Sequence, residues 1–138
     1  MSTKADTFIA LDVGTKRIGV ARADSGTKLA FPVGTVEVDG LEIERLQQII
    51  SEVEPVRIIV GYPRNQSGGV TEQSHFVEQF TKQLYQFGLP IVFQDESLTS
   101  VVAKERLEVR QKQYNKGDID SEAATIILQD YIERYYGR

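Results

Sequence analysis

Residues 8–24 read FIALDVGTKRIGVARAD, and this stretch places an acid, Asp12, inside an otherwise apolar run. The apolar residues predict a buried β-strand over residues 7–13. An ionised carboxylate in such surroundings is costly unless a cation or good hydrogen-bond donors meet it. The segment GTK at residues 14–16 is typical of a tight turn, and residues 17–24 predict a second strand. The stretch therefore predicts a hairpin with an acid beside its turn, whose charge needs a partner.

The composition is that of an ordinary globular protein, with 138 residues of which 41% are hydrophobic and 26% charged. We expect one domain over residues 1–138, with residues 1–6 flexible. The absence of cysteine excludes disulfides and thiolate metal sites. Because no apolar signal core or stretch of about 20 apolar residues occurs, we expect a cytoplasmic protein with no membrane contact. The net charge of −4 argues against a broad basic face for indiscriminate nucleic-acid binding.

The rest of the chain alternates between helical and extended patterns. Asp39 is a candidate cap for a helix that Pro55 ends, and Thr71 is a candidate cap for the next helix. In chain order after the hairpin, the predicted elements are a strand at 31–38, a helix from Asp39 to Pro55, a strand at 56–63, a helix from Thr71, a strand at 89–96, a helix at 99–110 and a last helix at 120–136. Three meandering strands followed by right-handed βαβ crossovers predict an α/β fold, a mixed five-stranded sheet with helices on both faces.

Acidic residues occur where such a sheet binds its ligands, near the carboxyl ends of parallel strands. Asp12 lies near the end of the first strand, and Asp95 and Glu96 end the last one. Because side chains alternate along a strand, only one of that pair should share the face of Asp12, and the pattern does not say which. Asp120 heads the apolar stripe of the last helix, so it either points at the sheet or simply caps the helix.

Carboxylates that converge without a counter-charge repel each other, whereas a hard divalent cation neutralises them. We therefore predict that Mg²⁺ or Mn²⁺ keeps Asp12 charged. The lack of cysteine and the presence of only one histidine, His75, argue against zinc. His75 lies off the apolar stripe of its helix and is interpreted as a surface residue.

Basic residues concentrate in one stretch, from the predicted third helix at 99–110 to the segment that follows it. Glu105, Glu108 and Asp118 dilute this cluster, so it is either a solvated helix face or part of a surface for a nucleic-acid backbone. Its members are Lys104, Arg106, Arg110, Lys112 and Lys116.

Four segments taken together resemble the YqgF-type bacterial nucleases, a family described both as pre-16S rRNA nucleases and as Holliday junction resolvases. The segments are LDVGTKRIGVA at 11–21, GYPRNQSGGVTEQ at 61–73, DESLTS at 95–100 and KGDIDSEAATIIL at 116–128. They occur in the family's order over nearly the whole chain. The resemblance implies a ribonuclease H-like fold and a hydrolase that cleaves phosphodiester bonds with the help of a divalent metal.

The resemblance also implies the acids that carry the reaction, namely Asp12, Glu96 and Asp120, as catalytic residues and metal ligands. It thereby selects Glu96 over Asp95. The implied substrate is structured nucleic acid, either the 5′ end of the ribosomal RNA precursor in ribosome biogenesis or a four-way DNA junction in recombination. The chain would act as a monomer when trimming RNA, or as a homodimer when making paired cuts in a junction.

Five basic or polar residues are candidate contacts to the substrate backbone: Lys16, Arg64, Asn65, Arg106 and Lys116. Ser97 stands where members of the family often have an arginine directly after the glutamate. Serine cannot bind a phosphate in the bidentate manner of arginine, so either that contact is dispensable or Arg106 replaces it. Lys16, Arg64 and Asn65 are equally interpretable as turn and loop residues that are simply solvated.

Two other functions are compatible with parts of the sequence. The Asp-x-Gly-Thr turn at 12–15 is similar to the phosphate-binding turn of actin-like ATPases and sugar kinases, but we expect 138 residues to lack the second lobe those proteins need. A non-catalytic nucleic-acid-binding or ribosome-assembly factor is the other alternative. The presence of Asp12, Glu96 and Asp120 argues against it.

Overall fold

The computed structural model describes residues 5–63, 71–95, 105 and 116–137, and its core is a five-stranded mixed sheet. The first three strands, β1 (Thr7–Val13), β2 (Arg17–Asp24) and β3 (Phe31–Glu37), form an antiparallel meander. The strands β4 (Arg57–Tyr62) and β5 (Ile91–Asp95) follow in parallel, β4 beside β1 and β5 beside β4. The spatial order is β3-β2-β1-β4-β5, which confirms the predicted sheet.

Helices cover both faces of this sheet, as predicted. They are α1 (Glu42–Val53), α2 (Glu72–Leu84), which a 3₁₀ turn at Tyr85–Phe87 extends, and α3 (Lys116–Tyr136). Alternate residues of β1 belong to two separate hydrophobic clusters. Ile9 and Leu11 pack with Leu46 of α1 and with α2 on one face, whereas Phe8 and Ala10 pack with α3 on the other. We refer to these as the α1/α2 face and the α3 face.

The start of α2 confirms the predicted cap. The Thr71 side chain accepts a hydrogen bond from the backbone N–H of Ser74 at 3.1 Å, and the Ser74 hydroxyl accepts one from the Thr71 N–H at 3.3 Å. This reciprocal capping box satisfies two N–H groups that the first turn of a helix leaves without partners. It fixes where α2 begins, close to the end of β4.

The prediction that Asp39 caps α1 was wrong. The helix begins at Glu42 after Leu41, which offers no capping side chain. Gly40, with φ of +100°, makes a turn between Asp39 and the helix. The Asp39 carboxylate instead pairs with Arg45, at 2.7 and 2.9 Å to its two terminal nitrogens, and this hydrogen bonding lowers the pKa of Asp39.

The last helix begins at Lys116, four residues before the predicted start at Asp120. The segment Lys116–Gly117–Asp118 has the composition of a loop, but an acid in the first turn favours helix. The Ser121 hydroxyl also donates to the Asp118 carbonyl oxygen at 3.2 Å. Asp120 therefore lies in the second turn, so the alternative that it caps the helix is excluded.

The predicted helix at 99–110 lies outside the described residues except for Glu105, which is helical. Within the parts of the chain that are described, no helix is both long and apolar enough to cross a bilayer.

Candidate active site

Asp12 lies on the α3 face of the sheet. It continues the row of Phe8 and Ala10, both of which pack against α3, and it is half-buried. In the register of the hairpin Asp12 is directly opposite Gly19 of β2. Side chains of directly opposite residues share a face, so whatever covers Gly19 lies next to Asp12.

The backbone of Asp120 covers Gly19. A Cβ atom on Gly19 would lie 2.0 Å from the Asp120 carbonyl oxygen and 2.9 Å from the Ser121 nitrogen, distances that no side chain allows. Glycine is required at this position because α3 contacts the β2 backbone directly. This contact brings Asp120 to the part of the sheet where Asp12 lies, as the sequence predicts.

Arg17 is the charged partner of Asp120. Its Nε donates to Oδ2 of Asp120 at 2.9 Å, and both side chains are 25% exposed. Burial raises the pKa of Asp120, the hydrogen bond from Arg17 opposes that rise, and the charge of Glu37 adds to it. The net pKa remains above the ordinary value, so one guanidinium does not fully offset burial and a further cation would stabilise the ionised form.

An open cleft of about 250 Å³ adjoins this ion pair, and hydrogen bonds to backbone carbonyls hold its walls. It is lined by Gly14, Thr15, Lys16, Arg17, Gln73 and Asp120. The Gly14 N–H donates to the Arg17 carbonyl across the turn at 3.0 Å. The Gln73 side chain donates from α2 to the carbonyl of Val13 at 3.1 Å. The end of β1 is thereby fixed to both its own turn and α2.

Asp95, at the end of β5, lies on the opposite face of the sheet from Asp12. Ile91 packs on the α1/α2 face and Val92 on the α3 face, so alternation places Asp95 on the α1/α2 face. Asp95 is also the register partner of Tyr62, whose hydroxyl donates to Glu78 of α2. Asp95 is therefore on the wrong face to join Asp12. Glu96 lies outside the described residues.

His75 is a surface residue, as predicted. Its side chain is 71% exposed, and its Nδ1 lies 3.7 Å from a carboxylate oxygen of Glu78 on the same helix. It is not one of the residues that line the cleft.

The structure describes three of the predicted site positions fully. Asp12 and Asp120 are brought together on the α3 face, and Lys16 is exposed on the cleft. Lys116 is the first residue of α3, but its side chain is not described. The other predicted site residues lie outside the described residues: Glu96, Arg64, Asn65 and Arg106. The same is true of Ser97, Lys104, Arg110 and Lys112.

Sequence reasoning missed three residues that build this site: Arg17, Gly19 and Gln73. A signal for the first two was present, because Arg17 and Gly19 lie in the same row of β2 as the small residues Ala21 and Ala23, which face α3. Such a row of small residues is typical of close packing under a helix. No local signal identifies Gln73, because it binds a carbonyl 60 positions earlier in the chain.

The donor chemistry of the described site fits a hard divalent cation. Asp12 and Asp120 offer carboxylate oxygens, which Mg²⁺ and Mn²⁺ prefer. Arg17 occupies only Oδ2 of Asp120 and leaves Oδ1 for another partner. Among the described residues, no three acidic or histidine side chains are grouped closely enough to bind a metal, so a complete site needs a further ligand.

Comparison with known proteins finds a matching family model and curated relatives that cover most of the chain. Residues 6–134 match the family model described as RuvX, Holliday junction resolvase. A protein of Crocosphaera subtropica named "Putative pre-16S rRNA nuclease" is 37% identical over 131 residues, covering 91% of this chain and 92% of that protein. A protein of Shewanella oneidensis with the same name is 37% identical over 138 residues, covering 96% and 98%.

The fold also has solved relatives. Thermus thermophilus RuvC, in complex with a Holliday junction substrate, superposes with a TM-score of 0.57 at 15% identity, covering 95% of this chain and 96% of that one. This similarity confirms the ribonuclease H-like fold. The family match and the two curated relatives confirm the resemblance carried by the four motifs.

Proposed function

Because the chain belongs to the RuvX family of Holliday junction resolvases, we propose that it is a metal-dependent nuclease that hydrolyses phosphodiester bonds in structured nucleic acid. We assign to it the processing of the 5′ end of pre-16S rRNA, after the name of its curated relatives. The convergence of Asp12 and Asp120 around Gly19 is the observation that carries this proposal. The Asp120 backbone lies over Gly19, the register partner of Asp12, and Asp120 lines an open cleft.

Asp12, Glu96 and Asp120 would hold Mg²⁺ or Mn²⁺ at this site. Bound there, such a cation lowers the pKa of a coordinated water and offsets the charge that develops on the phosphate and leaving oxygen. The fold of the chain sets the positions of these acids. Asp12 is fixed by the β1–β2 register, and Asp120 by the contact of α3 with Gly19.

The substrate backbone would lie along the cleft, where Lys16 is exposed. We propose Arg64, Asn65, Arg106 and Lys116 as further contacts to phosphates. These would fix the position of the nucleic acid without reading its sequence. Members of the family often have an arginine where this chain has Ser97. We propose that Arg106 makes the phosphate contact of that arginine here.

A Holliday junction resolvase is the second candidate, because that is how the matching family is described. Symmetric cleavage of a four-way junction needs two active sites related by a two-fold axis, and therefore a homodimer. Trimming of an RNA end needs only one site. We propose a single nuclease domain over residues 1–138 acting in the cytoplasm, as a monomer on RNA or as a homodimer on junctions.

The deciding experiment compares two labelled substrates in the presence of Mn²⁺ or Mg²⁺. One is a fragment spanning the 5′ end of the small-subunit rRNA precursor, and the other is an immobile four-way junction. Light scattering of the protein alone and with each substrate gives its oligomeric state. Asp12→Asn serves as the inactive control.

We expect metal-dependent cleavage of the precursor fragment by the wild type and none by Asp12→Asn. Paired, symmetric nicks in the junction by a dimer would assign the resolvase function instead. Binding of either substrate without cleavage in any divalent metal would identify a non-catalytic assembly factor and contradict the nuclease proposal.

A further inference from the structure

The Arg17 side chain carries more hydrogen-bonding capacity than its ion pair uses. A guanidinium has five N–H donors, and only Nε–H is engaged, to Oδ2 of Asp120. The four donors on the two terminal nitrogens have no hydrogen-bond partner among the described residues. A quarter of the side chain is exposed, and Arg17 lines the cleft.

The geometry of this contact differs from that of the Arg45–Asp39 pair. Arg45 places both terminal nitrogens on the two carboxylate oxygens of Asp39 and so uses the fork of its guanidinium for that pair. Arg17 uses only Nε, which leaves the fork of two terminal nitrogens for another ligand. That fork matches the spacing of two oxygens of a phosphate.

The side chains that line the cleft include two cations, Lys16 and Arg17, and one acid, Asp120. Lys16 adds a second positive charge to the lining, and the cleft wall includes the backbone of Gly14 and Thr15. The acids next to Arg17 are Asp120, whose Oδ2 is already engaged, and Glu37, its register partner on β3. A phosphodiester in the cleft would bring two acceptor oxygens to a planar cationic donor.

We propose that Arg17 binds a backbone phosphate of the nucleic acid with its two terminal nitrogens while its Nε orients the carboxylate of Asp120. This inference rests on the proposed function, since it identifies how that site holds its substrate. Arg17 therefore joins two roles in one side chain. It leaves Oδ1 of Asp120 for a cation and places a phosphate next to that oxygen.

The test measures binding without cleavage. Fluorescence anisotropy in EDTA gives the affinity of the full chain for the labelled precursor fragment and for the four-way junction, each at several salt concentrations. The variants are Arg17→Gln and Arg17→Lys. The matched control is Arg22→Gln, which changes the net charge by the same amount. Arg22 lies on the same strand but on the other face of the sheet, since its register partner Ile9 packs on the α1/α2 face.

We expect Arg17→Gln to weaken binding about tenfold or more, as the loss of a charge-assisted contact does. The slope of log affinity against log salt should fall by about 0.7–0.9, the value for one phosphate contact. Arg17→Lys keeps the charge but not the planar fork, so it should retain the salt slope with weaker binding. Arg22→Gln should match the wild type in both.

A purely structural ion pair predicts a different result. Arg17→Gln would then lower the melting temperature but bind with the affinity and salt slope of Arg22→Gln, and the inference would be overturned. The wild type separates this from failure of the proposed function. If it cleaves a substrate with Mn²⁺ while Arg17→Gln binds normally, only the role of Arg17 fails, whereas a wild type that neither binds nor cleaves overturns both.

Discussion

Asp12 owes its place in the site to alternation along β1, which puts it on the α3 face after Phe8 and Ala10. We predict that Asp12→Asn weakens Mn²⁺ binding by more than the roughly 10–100-fold that loss of an outer-shell partner costs, because it removes a charged ligand. Cleavage should fall by at least the same factor. Titration calorimetry with Mn²⁺ and a cleavage assay measure the two effects.

Glu52→Gln is the matched control for Asp12→Asn. Glu52 is an exposed carboxylate on α1, which covers the other face of the sheet. It should leave Mn²⁺ affinity and cleavage unchanged. Normal cleavage by Asp12→Asn would show that Asp12 is a structural turn residue and that the site must lie elsewhere.

Gly19 is the residue whose lack of a side chain lets α3 approach the sheet. Gly19→Ala would place a methyl group 2.0 Å from the Asp120 carbonyl oxygen, so the helix must move away from β2. We expect a loss of about 1–3 kcal/mol in the free energy of unfolding, the usual cost of overpacking. Cleavage should fall as well, because Asp120 moves with the helix. Urea unfolding and cleavage assays test both effects.

Gly26→Ala provides the comparison. The nearest atom to a Cβ at Gly26 is Oδ1 of Asp24 at 3.1 Å, which accepts the Thr27 N–H in an exposed turn and needs to move by only a few tenths of an ångström. Its unfolding free energy should change by less than about 0.5 kcal/mol. Equal effects of the two substitutions would contradict a specific role for the Gly19 contact.

At the scale of elements, α3 carries two acids one turn apart, Asp130 and Glu133. Partial desolvation by neighbouring groups raises the pKa of Asp130, although its side chain is exposed, and the charge of Glu133 raises it further. A raised pKa means that the folded chain binds this proton more tightly than the unfolded chain. Stability is therefore full below the unfolded pKa and decreases as the pH rises through the folded value.

Asp130→Asn removes that charge at every pH, so the variant should be more stable than the wild type at pH 7. Because Asp130 is exposed and partly screened by solvent, we expect a gain of only about 1–2 °C in melting temperature. The gain should disappear as the pH is lowered towards 3.5. Thermal melts at pH 7 and 3.5 measure it, and an equal gain at both pH values would show that the effect is not electrostatic.

For the whole molecule, the proposed function predicts that folding and metal binding are linked, because the proposed ligands Asp12 and Asp120 come from opposite ends of the chain. A cation that binds only the folded form stabilises it by about 2.7 kcal/mol at 100 times its dissociation constant. We expect such Mn²⁺ concentrations to raise the melting temperature of the wild type by about 8 °C. Asp12→Asn should show a much smaller shift, and an equal shift in both proteins would locate the bound cation elsewhere.

The division of the molecule into two faces explains how the site avoids disturbing the core. The α1/α2 face is closed by apolar residues such as Leu46 and Val77, which are fully buried. The α3 face has its own apolar cluster around Ile127 and Leu128, and its charged groups lie at one end. The acids are therefore held by a packed scaffold without lying within the apolar clusters.

The sequence by itself determined the order and type of the described elements, because periodicity is a local property of the chain. The apolar run at 7–13 predicts β1 and the turn at 14–16 predicts the start of β2, while the capping residue Thr71 and the breaker Pro55 predict helix boundaries that the structure confirms. The apolar stripe of α3 also predicts that Asp120 points at the sheet, which its contact with Arg17 confirms. The family motifs added Glu96, which periodicity alone could not select.

Tertiary structure decided which groups meet. The pairing of Arg17 with Asp120 joins residues 103 positions apart, and the bond from Gln73 to Val13 joins residues 60 positions apart. The face of Asp95 follows from which helix packs on Ile91. Local patterns cannot determine these contacts, because they depend on the register of the strands and on the depth at which α3 packs. That depth is set by the space left above Gly19, where a missing side chain lets the helix backbone reach the sheet.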